Sequence, residues 1–173
     1  MNRTIICPHC GISIAVKEEQ GDAVDDVACE NCRGRLLADD SAPVCPTTVL
    51  CIDDDPLVLL FCRDLLERRG YRVLTVPDGL AGVALAQQER PDVILLDVML
   101  RGLSGYDICR KLRAEPTLHT TPIILLTVWD HPSVAATGGA AGATAVLHKP
   151  ADPEVILSII ERVLSHERGS PRR

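Results

Sequence analysis

Residues 93–96, Val-Ile-Leu-Leu, form an uninterrupted apolar run bounded by Pro91 and Asp92 and ending on the carboxylate of Asp97. A strand with one wet face alternates apolar and polar side chains, so a continuous run reads as a strand buried on both faces. Cover on both faces comes from the helices of βα crossovers, which implies a parallel sheet. The flanking sequence has the matching rhythm. Short apolar runs at 49–52, 71–76, 122–127 and 143–148 are separated by stretches of helical pattern at 56–69, 78–90 and 104–114, a poorer one after His131, and a last one at 152–166. Asp55 and Pro56 open the first of these helices as N-cap and first residue, and Gly70 stands past its end. The expected fold is therefore α/β, a doubly wound five-stranded parallel sheet with helices on both faces.

In such sheets ligands bind beyond the carboxyl ends of the strands. Asp53 and Asp54 follow the first expected strand, Asp97 closes the third, Thr127 closes the fourth and Lys149 follows the fifth. Three carboxylates, a hydroxyl and an ammonium thus converge on one crevice. Clustered carboxylates repel one another unless a cation sits among them, and an oxygen-only donor set suits Mg2+. A carboxylate at the centre can attack an activated phosphoryl group to give an aspartyl phosphate. The cation, the hydroxyl and the ammonium then neutralise the phosphoryl oxygens.

These positions resemble the response-regulator receiver domain of two-component signalling. The resemblance covers about 47–166 and rests on four stretches: 49–56 with its acidic pair, 91–100 followed by Gly102 and Gly105, 123–127, and 142–150 with Lys149-Pro150. It implies the flavodoxin-like receiver fold, with Asp97 as phosphoacceptor. It further implies Asp54 as a direct Mg2+ ligand, Asp53 as a ligand through water and the Met99 carbonyl as another ligand. Thr127 and Lys149 would stabilise the phosphoryl group, and the bond before Pro150 would be cis. The phosphate would come from a histidine kinase or phosphotransfer protein, and the chain would signal through protein contacts rather than as an enzyme. Two positions depart from the family. Val146 stands where an aromatic switch residue is usual, and Val128 with Trp129 replaces a small residue after the hydroxyl side chain.

The helix at 56–69 opens Leu57-Val58-Leu59-Leu60-Phe61-Cys62, more apolar than a one-sided helix requires. With Val58, Phe61, Cys62, Leu65 and Leu66 as the core face, Leu59 and Leu60 point outward as a patch. The resemblance implies that this helix docks on the kinase or phosphotransfer bundle; cover by the N-terminal segment is the alternative. The helix after His131 contains Gly138 and Gly139, each costing roughly 1 kcal/mol of helix stability.

The N-terminal segment is built differently. Cys7-Pro8-His9-Cys10 and Cys29-Glu30-Asn31-Cys32 are two C-x2-C pairs separated by 18 residues, the spacing of a four-thiolate Zn2+ site. With strands expected at 12–16 and 35–37, residues 1–38 resemble a zinc ribbon. A thiol–disulfide redox pair is the competing reading. The expected organisation is a zinc-ribbon-like domain at 1–38, a Pro- and Asp-containing linker at 39–47, a receiver domain at 48–166 and a tail at 167–173. Among the eight cysteines the other four are scattered singly, as small buried hydrophobes are.

Residues 1–40 carry four basic side chains against eight acidic ones, and the net charge of the chain is -6, which disfavours binding to nucleic acid. No apolar run approaches the roughly 20 residues of a membrane span, and no secretory signal opens the chain. A cytoplasmic signalling protein with an unidentified downstream protein target is the leading expectation. The alternative is a zinc-ribbon adaptor whose receiver domain works as a scaffold without phosphorylation.

Overall fold

The apolar run at 93–96 occupies the middle of a five-stranded parallel sheet, and each of its side chains is at most 1% exposed. The structure is a computed structural model that describes residues 2–6, 13–17, 27–28, 35–36 and 46–168. It divides into two units, Met1–Pro46 and Thr47–Arg173.

In the first unit, β1 (Asn2–Ile6) pairs antiparallel with β2 (Ser13–Lys17), and β3 (Val27–Ala28) pairs antiparallel with β4 (Arg35–Leu36). β2 and β4 fall where strands are expected, whereas β1 and β3 are additions to that expectation. Cys7, Cys10, Cys29 and Cys32 lie outside the described residues.

The second unit runs β5 (Thr48–Ile52), α1 (Pro56–Glu67), β6 (Arg72–Val76), α2 (Gly79–Glu89), β7 (Val93–Asp97), α3 (Gly105–Ala114), β8 (Ile123–Thr127), α4 (Pro132–Ala140), β9 (Ala145–His148) and α5 (Pro153–Arg168). The strand order is β6-β5-β7-β8-β9, all parallel. The chain steps outward from β5 to β6 and then returns past β5 to β7, so the winding direction reverses between β5 and β7.

Successive residues of the central strands feed opposite layers, as the pleat requires. Leu50, Ile52, Ile94, Leu96, Ile123 and Leu125 pack with Ala86 of α2 and with Ile108 and Leu112 of α3. Val49, Cys51, Val93, Leu95, Ile124 and Leu126 pack with Cys62 and Leu66 of α1 and with Ile156, Leu157 and Ile160 of α5. Both faces being covered, polar side chains appear only at the strand ends. Cys51, Cys62 and Cys109 are free thiols buried in these layers.

The helix ends follow their sequence signals. Asp55 Oδ1 accepts from the Leu57 N–H at 2.8 Å, and Asp78 and Ser104 cap α2 and α3 in the same manner. α1 stops at Glu67, short of residue 69, and Gly70 at φ +82° turns the chain into β6. The exposed face of α1 differs from the expectation. Leu59 is half-buried and packs on the α1–α5 layer, while Leu57, Leu60 and Phe61 are exposed. The helix is rotated so that Phe61 leaves the core face assigned to it and Leu59 joins it.

Close packing holds the backbone of Gly138 and Gly105 against their neighbours. A Cβ on Gly138 of α4 would stand 2.7 Å from Val146 Cγ2, so the glycine lets α4 lie against β9. A Cβ on Gly105 would stand 2.1 Å from the Asp97 carbonyl oxygen, where no flexible side chain can move away. Gly105→Ala is expected to lower the stability of the second unit by about 3 kcal/mol. Gly139→Ala, with open space around its Cβ, is expected to be neutral or to stabilise by up to about 1 kcal/mol. Urea denaturation of both variants checks the contrast.

Candidate functional site

At the carboxyl edge of the sheet Asp53, Asp97 and Thr127 are buried, with exposures of 3, 3 and 1%. Strands buried on both faces deliver these polar groups at their tips and leave them with partners supplied by neighbouring strands. Lys149 supplies the main one. Its Nζ reaches across β8 and donates to Asp53 Oδ2 at 2.5 Å and to Asp97 Oδ1 at 2.6 Å. Burial alone would pull the ammonium pKa down, but the hydrogen bonds to the two carboxylates outweigh it and hold Lys149 above the ordinary lysine value. Burial pushes the Asp53 carboxyl up, and the hydrogen bonds from Lys149 and the Asp55 N–H offset only part of this.

Asp97 is held from a second side by the Met99 N–H, which donates to its Oδ2 at 2.7 Å. The loop that follows is anchored by the Val98 N–H on the Leu126 carbonyl and the Gly105 N–H on the Val98 carbonyl, each at 2.9 Å. Thr127 Oγ1 accepts from the Trp129 N–H at 3.1 Å, and the Thr127 carbonyl accepts from the Lys149 N–H at 2.6 Å. The Lys149–Pro150 peptide is cis. Val128 and Trp129 are about half exposed at the end of β8. Val146 is half-buried and packs on the sheet layer beside Gly138.

Asp53, Asp54 and Asp97 each offer a carboxylate oxygen, and these atoms lie within 4.8 Å of one another. Ionised carboxylates only accept hydrogen bonds. Against three of them stand the half-buried Lys149 and the exposed Arg101, whose Nε donates to Asp54 Oδ2 at 3.0 Å. The donor set is all oxygen, incompletely neutralised and open at Asp54, which fits a hard divalent cation such as Mg2+. Beside it, Leu57, Phe61, Val128, Pro150 and Pro153 line a cavity of about 570 Å³ that Lys149 also borders.

The expected residues Asp53, Asp54, Asp97, Thr127 and Lys149 therefore meet at one edge, and Met99 joins through its N–H. Three features escape the sequence reading. Arg101 is one, although a lone cation four residues after Asp97 in an acidic setting is a usable signal. The others are the packing of Gly105 under the Asp97 carbonyl and the exposure of Leu57 beside the site.

The family model of the response regulator receiver domain matches residues 49–161. Protein PilH of Pseudomonas aeruginosa is 37% identical over 117 residues, which are 68% of this chain and 97% of PilH. The chain spans about half the length of the transcriptional regulators that it also matches. Among solved structures, the chemotaxis protein CheY4 of Vibrio cholerae superposes with a TM-score of 0.66 at 35% identity, covering 68% of this chain and 98% of CheY4. The receiver domain of a sensor histidine kinase from Pseudomonas aeruginosa, solved with magnesium coordinated in its active-site cleft, has a TM-score of 0.65 at 31% identity and covers 69% of this chain and 98% of that one.

The raised pKa of Asp53 carries a pH signature. A carboxyl that is harder to ionise when folded binds more protons in the native state, so its contribution to stability is full below the ordinary carboxylate pKa and is lost as pH rises through the folded value. Asp53→Asn removes that cost. The variant is expected to be about 1 kcal/mol more stable than the parent at pH 7, with the gap closing as pH falls below about 4. Urea midpoints across that range test it.

Proposed function

This chain belongs to the response regulator receiver domain family, the phosphoacceptor proteins of two-component signalling, and on that premise we propose that Asp97 is its phosphoacceptor. The observation that carries the reading is the double hydrogen bond of Lys149 to Asp53 and Asp97 beside Asp54. A carboxylate already sharing an ammonium has a counter-charge ready for the phosphoryl oxygens it would acquire.

Receiver domains bind Mg2+ at an acidic site, and here Asp53, Asp54 and Asp97 would hold it, with the Met99 carbonyl as a further ligand implied by the family. When bound, the cation supplies charge neutralisation to a donor's phosphoryl group. The chain's own residues do the rest. An Asp97 carboxylate oxygen attacks phosphorus as the bond to the donor's leaving group breaks. Lys149 follows the new negative charge from the carboxylate to a phosphoryl oxygen, and the Thr127 hydroxyl donates to another. The Met99 N–H keeps the second Asp97 oxygen in place.

The donor is proposed to be a histidine kinase or phosphotransfer protein, docking on the exposed face of α1. That surface is Leu57, Leu60 and Phe61 beside the apolar cavity, and not Leu59, which is half-buried. No feature among the described residues favours a phosphorylation-independent scaffold.

We propose in addition that Cys7, Cys10, Cys29 and Cys32 hold Zn2+. Support comes from the strands around them. Ile6 pairs with Ser13 and Ala28 with Arg35, so each C-x2-C pair falls between two antiparallel strands, the setting of thiolate pairs in ribbon-type zinc sites.

Incubation with Mg2+ and acetyl phosphate, followed by intact mass, is expected to give one phosphoryl adduct that Asp97→Asn abolishes; an adduct that survives in the variant overturns the assignment. Leu60→Glu is expected to keep that labelling while losing transfer from a kinase. Metal analysis is expected to find one zinc per chain in the parent and little in Cys10→Ser.

A further inference from the structure

Arg101 has no part in the mechanism above, yet its guanidinium lies on one of the three carboxylates that would hold the cation. Its Nε is 3.0 Å from Asp54 Oδ2. The two other carboxylates are already shared with the half-buried Lys149, which leaves Asp54, a quarter exposed, as the outer corner of the cluster. The loop that carries Arg101 has fixed ends. The Val98 N–H bonds the Leu126 carbonyl, the Gly105 N–H bonds the Val98 carbonyl, and Gly102 at φ +86° turns the chain just after the arginine.

We infer that Arg101 is a tethered counter-ion that competes with the divalent cation for Asp54 and so sets the cation concentration at which the site fills. The inference rests on the reading of Asp53, Asp54 and Asp97 as the cation site. A guanidinium has five donors and no acceptor, so it cannot join a metal's ligands and gives way on Asp54 Oδ2 when a cation takes that oxygen. Leaving costs the fold little, because the Arg101 side chain is 87% exposed and exposed ion pairs contribute little to stability. A cation that takes the Asp54 oxygen must displace the guanidinium from it, and while the guanidinium stays close it also repels the arriving double charge. Occupancy of Asp54 by Arg101 therefore raises the Mg2+ requirement without holding the fold together. Lys149 cannot play this part, since it is far less exposed and committed to Asp53 and Asp97.

The test is Mg2+ titrated calorimetrically into the full chain and into Arg101→Lys, Arg101→Gln and Arg101→Glu. Arg101→Gln is expected to bind Mg2+ about three- to tenfold more tightly in low salt, and Arg101→Glu more tightly still, with Arg101→Lys within about twofold of the parent. The differences are expected to shrink in about 0.5 M salt, where the screening length falls to a few ångströms. Equal Mg2+ affinities in the parent and Arg101→Gln overturn the inference while leaving the acidic site intact. If neither the parent nor Arg101→Gln binds Mg2+, the reading of the acidic cluster as a cation site fails instead.

Discussion

The ammonium of Lys149 lies between the carboxylates of Asp53 and Asp97, joining the end of β9 to the ends of β5 and β7 across β8. Two buried carboxylates this close would otherwise repel each other in a setting of reduced dielectric. The sheet makes the arrangement possible. Its central strands are packed by helices on both faces, and the polar residues at their tips inherit fixed positions. Gly105, packed against the Asp97 carbonyl, and the Met99 N–H, bound to its side chain, fix Asp97 from the other side.

The site is neutralised only in part, and this links its stability to its chemistry. Burial holds the Asp53 carboxyl above its ordinary pKa even with Lys149 in contact. Asp53 thus costs the fold stability at neutral pH, and the negative charge it shares with Asp54 and Asp97 suits a divalent cation. Arg101 adds a second, exposed positive charge at the outer corner. One basic residue is built in and the other is displaceable, a division that follows from their burial.

The architecture was largely legible in the sequence because the central strands β5, β7 and β8 have no polar interruption, and Asp55, Asp78 and Ser104 mark helix starts with local hydrogen bonds. Asp53, Asp97 and Thr127 were legible for the same reason, each being the first polar side chain after an apolar run, and Asp54 and Lys149 stand one residue further on. The face of α1 was not. With six apolar residues in succession from Leu57 to Cys62, several rotations of the helix bury nearly equal apolar area, and only contact with α5 and the sheet selects Leu59 over Phe61. Gly138 was read as a weakness of α4, whereas its missing side chain is what Val146 packs against. β3 has two residues, too few for a period to register, and β1, Asn-Arg-Thr-Ile-Ile, does not alternate. The proposed Zn2+ ligands between the N-terminal strand pairs rest on spacing and on those pairings.

The most direct measurement of the central claim is chemical mapping of the phosphorylated residue. The chain is treated with Mg2+ and phosphoramidate, reduced with borohydride and digested, and the peptides are weighed. An aspartyl phosphate is reduced to homoserine, so the account predicts homoserine at position 97 and unaltered aspartates at 53 and 54. Homoserine at 53 or 54, or at none of the three, would contradict it.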